Sequence, residues 1–350
     1  MPTLPLYSPA DVPDASHRVL APGGYETWHF HAESSTGDVR LVAVLGVGSP
    51  IDVTYLRRYL QYRRRPTRCP PPVPAEHPFA HAAVYDGGRL LAEFTAHADP
   101  SDFAASPHEP AVKVAGNEFV RERDGSLSLR LRGVASRGAS SLSAQLVFRP
   151  LLPHPPWETS RLGQHISPAL HRWVIAAPRC DVSGTVALTP GGDGSRGGAR
   201  EIDFRGRGYH DHCYGTAPLA GALRRWAVGH AFLGDATYAF HVARPLERAL
   251  PDDVQWIRCD AEGARAVQGD PLHVVWTAGR GLRPPYPAEL TAGNRLRLVR
   301  PRVVDSDASH ARLLYHASAH GSGENATAWC ETFQPQRSVP MLKRWAAKVE

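Results

Sequence analysis

Leu127, Leu129 and Leu131 alternate with Ser128, Arg130 and Arg132. A side-chain period of two belongs to a strand with one buried face, and no helix gathers those leucines on one side. Similar segments recur along the whole chain. They cover residues 25–31, 39–45, 82–85, 89–97, 142–148, 237–244, 313–319 and 327–333, with further strands expected at 254–259, 272–277 and 296–304. Turn chemistry separates them, as in Asp86-Gly87-Gly88, and the 31 glycines and 32 prolines are spread evenly. The pattern predicts an all-β protein built from barrels or sandwiches. The 350 residues suffice for two comparable halves, expected to divide near 183–190 into 18–184 and 185–350, with one short helix at 340–349. Antiparallel barrels of this size enclose one apolar ligand.

Charge and cysteine content remove several function classes. The chain carries 40 basic and 34 acidic residues, a net +6, and its lysines are Lys113, Lys343 and Lys348. No nucleic-acid-binding motif accompanies this arginine bias, so no nucleic-acid partner is expected. The 5 cysteines are odd in number and widely spaced, with no CxxC pair, which argues against a disulfide framework and a zinc knuckle. Residues 1–22 lack an apolar run behind a basic start, and no window approaches about 18 consecutive apolar residues. A cytoplasmic setting is the expectation. Arg57, Arg58, Arg63, Arg64, Arg65 and Arg68 form a dense basic segment in which Tyr55, Tyr59 and Tyr62 recur at helical spacing. It reads either as an amphipathic contact with anionic lipid headgroups or as a solvated basic surface. The glycine-rich stretch 190–198 lacks the GK[ST] ending of a phosphate loop.

The densest chemistry lies in Arg207-Gly208-Tyr209-His210-Asp211-His212-Cys213-Tyr214-Gly215. On a strand, Tyr209, Asp211 and Cys213 face one way and His210 and His212 the other. One reading points Tyr209 and Asp211 into an apolar cavity. The other is a polar hairpin end in which Asp211 caps backbone amides. Around this stretch, Glu26, Trp28 and Phe30 share a face, as do His171 and Trp173. Trp226, Val228, His230 and Phe232 share another, and so do Trp329, Glu331 and Phe333. Trp28, Trp226, His230, Trp329, Glu26 and Glu331 are therefore candidate substrate contacts. A metal site from His210, His212, His230 and His241 is the rival use of the imidazoles, but alternation places the His210–His212 pair opposite Asp211, and no metal is expected.

Four of these segments carry a resemblance. Gly24-Tyr25-Glu26-Thr27-Trp28-His29-Phe30 is similar to an E-x-W-[YH]-F opening strand. His171-x-Trp173 with Pro178 and Gly184 resembles a mid-chain motif. Residues 208–215 with Pro218-Leu219 and Trp226 resemble a G-Y-x-D-x-x-x-G…P-L…W signature, and Trp329-Cys330-Glu331-Thr332-Phe333-x-Pro335 a closing strand. Together, over residues 23–345, they resemble the hydroxyneurosporene synthase-like family of carotenoid 1,2-hydratases and their lipocalin-like relatives. The resemblance implies two lipocalin-like halves with an apolar pocket near their junction, and water addition to a terminal isoprenoid double bond. The residues that match are His171, Trp173, Tyr209 and Asp211. Cys213-Tyr214 stands where many relatives have Asn-Trp, His230 where an Arg is common, and the glycine-rich insertion lengthens the gap between motifs. The family also includes pericyclase-type cyclases and binding proteins, so a carrier or a cyclase stays open beside a hydratase.

Hydration of a trisubstituted alkene needs a positioned proton donor, then a water that traps the tertiary cation. Asp211, with its pKa raised by burial among aromatics, is the expected acid. Trp173 and Tyr209 offer π faces to the cation, and His171 orients or deprotonates the water. No redox or organic cofactor is needed.

Overall fold

The computed structural model describes residues 14–155, 171–190, 199–267, 272–278, 283–293, 296–319, 323–335 and 337. The expected helix at 340–349 lies outside them. In chain order the strands are β1 (Tyr25–Ser34), β2 (Val39–Val47), β3 (Pro78–Asp86), β4 (Arg89–His97), β5 (Phe103–Ala105), β6 (Ala111–Val114), β7 (Asn117–Arg121), β8 (Leu127–Val134), β9 (Arg137–Gly138), β10 (Ser141–Pro150), β11 (Arg172–Thr189) and β12 (Arg200–Gly215). Then follow β13 (Leu223–Leu233), β14 (Ala236–Pro245), β15 (Asp253–Asp260), β16 (Gly263–Ala266), β17 (Leu272–Trp276), β18 (Pro287–Ala292), β19 (Leu296–Ser306), β20 (His310–Ala319) and β21 (Asn325–Phe333). One α-helix, α1 (Val53–Arg64), interrupts them among the described residues. No helix among those residues is long and apolar enough to cross a membrane.

The all-β expectation holds, with two curled antiparallel sheets among the described residues. The first runs in the order β5-β6-β7-β8-β10-β11-β12-β1-β2-β3-β4-β9 and the second β16-β15-β14-β13-β21-β20-β19-β18-β17. The change of sheet comes after Gly215, at 216–222. Residues 183–190, where the halves were expected to part, lie largely in β11 and stay in the first sheet, because Ser183 to Leu188 pair with Arg205 to Arg200 of β12. Pro178 does not end β11. The pairing shifts register between Ala177 and Cys180, and a bulge tolerates a residue that has no amide hydrogen.

Alternation on β1 and β12 builds two cores at once. Trp28 and Phe30 turn inward to the first sheet's own core, with Leu41, Leu45, Phe119 and Phe148. His210 and His212 stand beside them in register, Phe30 opposite His210 and Trp28 opposite His212. Gly208 is needed in this face, because a Cβ there would meet Phe148 Cε1 at 2.5 Å and Val182 Cγ2 at 2.6 Å. The other face of β1 and β12 points to the second sheet, where Trp173, Ile175, Tyr209 and Cys213 pack against Phe232, Ala239, Ile257 and Cys259. The second sheet has its own core around Phe240, Trp256, Leu298, Leu313 and Tyr315.

α1 packs across the start of β1. Asp52 caps its first turn by accepting from the Thr54 and Tyr55 amides. Tyr55 is buried, and its hydroxyl donates to the Gly24 carbonyl at 2.7 Å.

Phe30 is fully buried between Phe119 and Phe148. Phe30→Ala should lower the unfolding free energy by about 3–5 kcal/mol, the usual cost of emptying an aromatic site. Urea unfolding followed by far-ultraviolet circular dichroism measures it. A loss below about 1 kcal/mol would mean that this core is not close-packed around the ring.

Candidate active site

The layer between the two sheets is buried and rich in polar side chains. Asp211 is 4% exposed, and its Oδ2 accepts from Trp173 Nε1 at 3.0 Å. The two meet because Trp173 and Ile175 pair with Cys213 and Asp211 on adjacent strands. Tyr209 lies one step along the same face. Its hydroxyl has no well-formed hydrogen bond among the described residues, and burial together with the charge of Asp211 pushes its pKa well above the ordinary phenol value. Burial likewise raises the thiol of Cys213.

Beyond Trp173 the layer becomes a nest of neutral imidazoles. Arg172 pairs with Tyr214, which sets His171 next to Gly215, and Gly215 is itself opposite Tyr25. With no side chain between them, the Tyr25 hydroxyl hydrogen-bonds His171 Nδ1. Burial lowers the pKa of His171 to about 3 and keeps the phenol of Tyr25 far above its usual value. The phenol is therefore the donor of that bond, and His171 Nε2 carries the ring hydrogen. From the second sheet, Trp226 Nε1 donates to His241 Nε2, so the hydrogen of His241 sits on Nδ1. Burial also holds His241 well below its ordinary pKa. The rings of His171 and His241 stack with centroids 5.3 Å apart. His171 Nε2 and His241 Nδ1 are both buried and lack hydrogen-bond partners among the described residues.

On the other side of Asp211 lies a charged group. His29 is opposite Asp211 in the β1–β12 register. Its Nε2 lies 3.1 Å from Glu331 Oε1. Glu331 Oε2 in turn lies 2.9 Å from His310 Nε2 and 3.5 Å from Arg312 Nε. Burial alone would raise the carboxyl of Glu331, but the Arg312 charge and the two imidazole bonds outweigh it and hold its pKa well below normal. Burial alone would lower His29, but its bond to Glu331 and the charges of Glu331 and Asp211 outweigh that and raise it. Arg312 is anchored further by donating to Tyr85 Oη and His81 Nε2, each at 2.7 Å.

Tyr209 stacks on His230 at 4.2 Å, and His31 stacks on Trp329 at 4.8 Å. The rings of His31 and His230 join through a 3.0 Å hydrogen bond. Packing around His31, His230 and Trp329 leaves no room for a water molecule, so this end of the layer is closed. Nearer Asp211, Thr27, His29, Val44 and Val228 keep part of their surface accessible. Together they form a partly accessible strip on this face.

The structure thus gathers Asp211, Tyr209, His171, Trp173, Trp226, His230, Trp329 and Glu331 on one layer. Glu26 and Trp28 do not join them. They sit on the opposite face of β1, where Glu26 Oε1 lies 3.1 Å from His212 Nε2 and accepts from the His17 amide at 2.6 Å. Trp28 Nε1 donates to the Asp14 carbonyl at 2.9 Å. His210 and His212 share that interior, away from His230 and His241, so the four imidazoles of the rival metal reading are split between two faces. Three participants escaped the sequence reading. His29 sits inside the opening motif but one step off the Glu26–Trp28 face, and that parity was the available signal. Tyr25 and Arg312 gave none, since their partners are remote in the chain.

At pH 7, Glu331→Gln should cost up to about 3–5 kcal/mol, because buried Arg312 loses one of its two carboxylate partners and keeps only Glu93 at 3.5 Å. The folded-state pKa of Glu331 is depressed, so its contribution is complete above the ordinary carboxylate range and fades as pH falls through the folded value. The gap between wild type and variant should therefore narrow below about pH 4.5. Urea titrations from pH 7 to 3 check this, and a constant gap would show that the pair is not charged.

No family model matches the chain. It is 30% identical over 227 residues to a protein named hydroxyneurosporene dehydrogenase from Chlorobaculum tepidum, an alignment covering 62% of this chain and 56% of that one. The chain thus spans little more than half the length of this curated relative. Among solved structures, an AttH protein from Nitrosomonas europaea superposes with a TM-score of 0.64 at 17% identity, over 91% of this chain and 94% of the other. Kievitone hydratase from Nectria haematococca gives a TM-score of 0.56 at 10% identity, over 95% and 94%. The protein CghA, in a crystal structure with Sch210972, gives 0.53 at 12%, over 89% and 88%. These similarities establish a two-part lipocalin-like fold of the kind that a hydratase also uses.

Proposed function

Taking as premise that this chain resembles the hydroxyneurosporene synthase-like family, we propose that it is a hydro-lyase adding water to a terminal double bond of an acyclic carotenoid or related isoprenoid. The observation that carries this reading is the buried Asp211 carboxyl, fixed by Trp173 Nε1 at 3.0 Å and standing opposite the partly accessible His29. Asp211 gives its proton to the alkene. The resulting tertiary cation lies among Trp173, Tyr209, Trp226 and neutral imidazoles, whose π faces favour positive charge. His171 Nε2–H and His241 Nδ1–H, which lack partners among the described residues, hold the oxygen of the attacking water. Trp329 and His230 close one end of the layer and limit how far the chain end enters.

Asp211→Asn keeps the shape and the Trp173 bond but has no transferable proton. Since general acid catalysis is worth about 10²–10⁴-fold, turnover should fall by at least that order while ligand binding persists. Incubation with a panel of acyclic carotenes and squalene-like lipids, followed by mass spectrometry, provides the assay. A product heavier by one water is expected. An isomer of unchanged mass would replace hydration by cyclisation, and saturable binding without conversion would make the protein a carrier. Near-normal turnover of Asp211→Asn on a proven substrate would sink the acid assignment.

We also propose that α1 delivers this apolar substrate from a lipid surface. Arg57, Arg58, Arg63, Arg64, Arg65 and Arg68 are all exposed, the first four on a helix whose Tyr55 and Leu56 are buried and the last two just past its end. The helix sits at the Gly23–Gly24 end of β1, beside Tyr25. Basic side chains near an anionic surface contribute about 1 kcal/mol each and are screened by salt. The protein should float with anionic liposomes at low salt and be released at high salt. Equal flotation with neutral vesicles would rule out the arginines as the cause.

A further inference from the structure

Water that adds to a carbocation must give up a proton, and the imidazole nearest the expected water cannot take it. His171 Nδ1 already accepts from Tyr25, its Nε2 already carries hydrogen, and burial holds its pKa at about 3. His241 is equally committed, with Nε2 bonded to Trp226. Tyr209 and Cys213 are acids that burial keeps protonated. His29 differs from all of these. It keeps accessible surface on the strip, its ring is held by Glu331 at 3.1 Å, and it stands opposite Asp211 in register.

We propose, resting on the hydration reading, that His29 accepts the proton released by water and returns it to Asp211, with Glu331 as its positioning residue. The cycle balances on one proton. Asp211 and His29 share one transferable proton at the start, and the alkene takes it from Asp211. The carboxyl proton forms the new C–H bond as the alkene π pair is consumed. The water oxygen forms the C–O bond, and its surplus proton passes through solvent of the accessible strip to His29 Nδ1, since His29 lies across Asp211 from His171. His29 then hands that proton to the Asp211 carboxylate, and the pair is restored. The bond from Nε2 to Glu331 leaves Nδ1 as the nitrogen that works, and Glu331 supplies the charge that makes the ring a good acceptor. The other groups that act on His29 are Arg312, whose cation opposes its protonation, with His81 of β3, His31 of β1 and His230 of β13, all held neutral. His310 shares Glu331 from β20.

Two measurements test the relay. The first needs no substrate. In protein labelled with ¹⁵N-histidine, the ring signals of His29, assigned by their loss in His29→Gln, should titrate above the ordinary value of about 6.5. That titration should move to lower pH in Asp211→Asn and in Glu331→Gln. A His29 titration unmoved by Asp211→Asn overturns the relay. The second uses an isoprenoid that the wild type hydrates. His29→Gln, shown to be folded by circular dichroism, should lose about 10²–10⁴-fold in kcat with KM nearly unchanged, and added imidazole should restore part of the turnover of His29→Ala. In Glu331→Gln the acid limb of the kcat–pH profile should shift to lower pH, which lost packing alone would not produce. Near-normal kcat in His29→Gln, or no imidazole rescue of a folded His29→Ala, overturns the acceptor role. A wild type that yields only isomers overturns hydration itself and the acceptor role with it, and the titration then shows whether the His29–Asp211 coupling stands alone.

Discussion

β1 over most of its length, and β12 from Gly208 to Gly215, have no solvent face. Strand geometry sends successive side chains to opposite sides, so each of these strands must satisfy two different environments with a period of two. Phe30, Trp28, His210 and His212 serve the interior of the first sheet. His29, Tyr209, Asp211 and Cys213 serve the contact with the second. A slip of one residue between β1 and β12 would put Asp211 among the phenylalanines and Phe30 among the charges. The polar layer and the apolar core therefore enforce the same register from opposite sides.

The contact between the sheets combines an apolar cluster around Trp173, Ile175 and Phe232 with buried polar pairing. Glu331, Arg312, His29, His310 and His81 form a connected group drawn from β1, β3, β20 and β21. Buried ion pairs of this kind add little net stability, since desolvation offsets most of the attraction. They do define one relative placement of the sheets, because any other would strand a charge. That placement also fixes His29 and Asp211 relative to the aromatic rings above them.

Much of this was legible from parity alone. The alternation of 207–215 separated Tyr209 and Asp211 from His210 and His212, and the His171–Trp173, Trp226–His230 and Trp329–Glu331 rows all reach the same layer. Parity also grouped Glu26 with Trp28 and Phe30, but it does not say which face of a doubly buried strand meets the site. That choice depends on Asp14, His17 and the first sheet's curl, which are tertiary facts. The strands at 103–121 were missed because β5 and β6 have only three and four residues, too few to show a period. The coupling of His29 to Glu331 spans 302 residues, and no local pattern encodes it.

The neutral imidazoles of the layer carry one more consequence. Burial keeps His31, His81, His171, His230 and His241 from protonating in the folded chain, whereas in an unfolded chain they bind protons below about pH 6.5. Folded-state pKa values depressed in this way mean that stability is lost as pH falls. All five lie on the contact between the sheets, and the apolar interior of the first sheet holds none of them. Acid should therefore loosen the contact between the sheets as its imidazoles take up charge, laying the polar layer open to water.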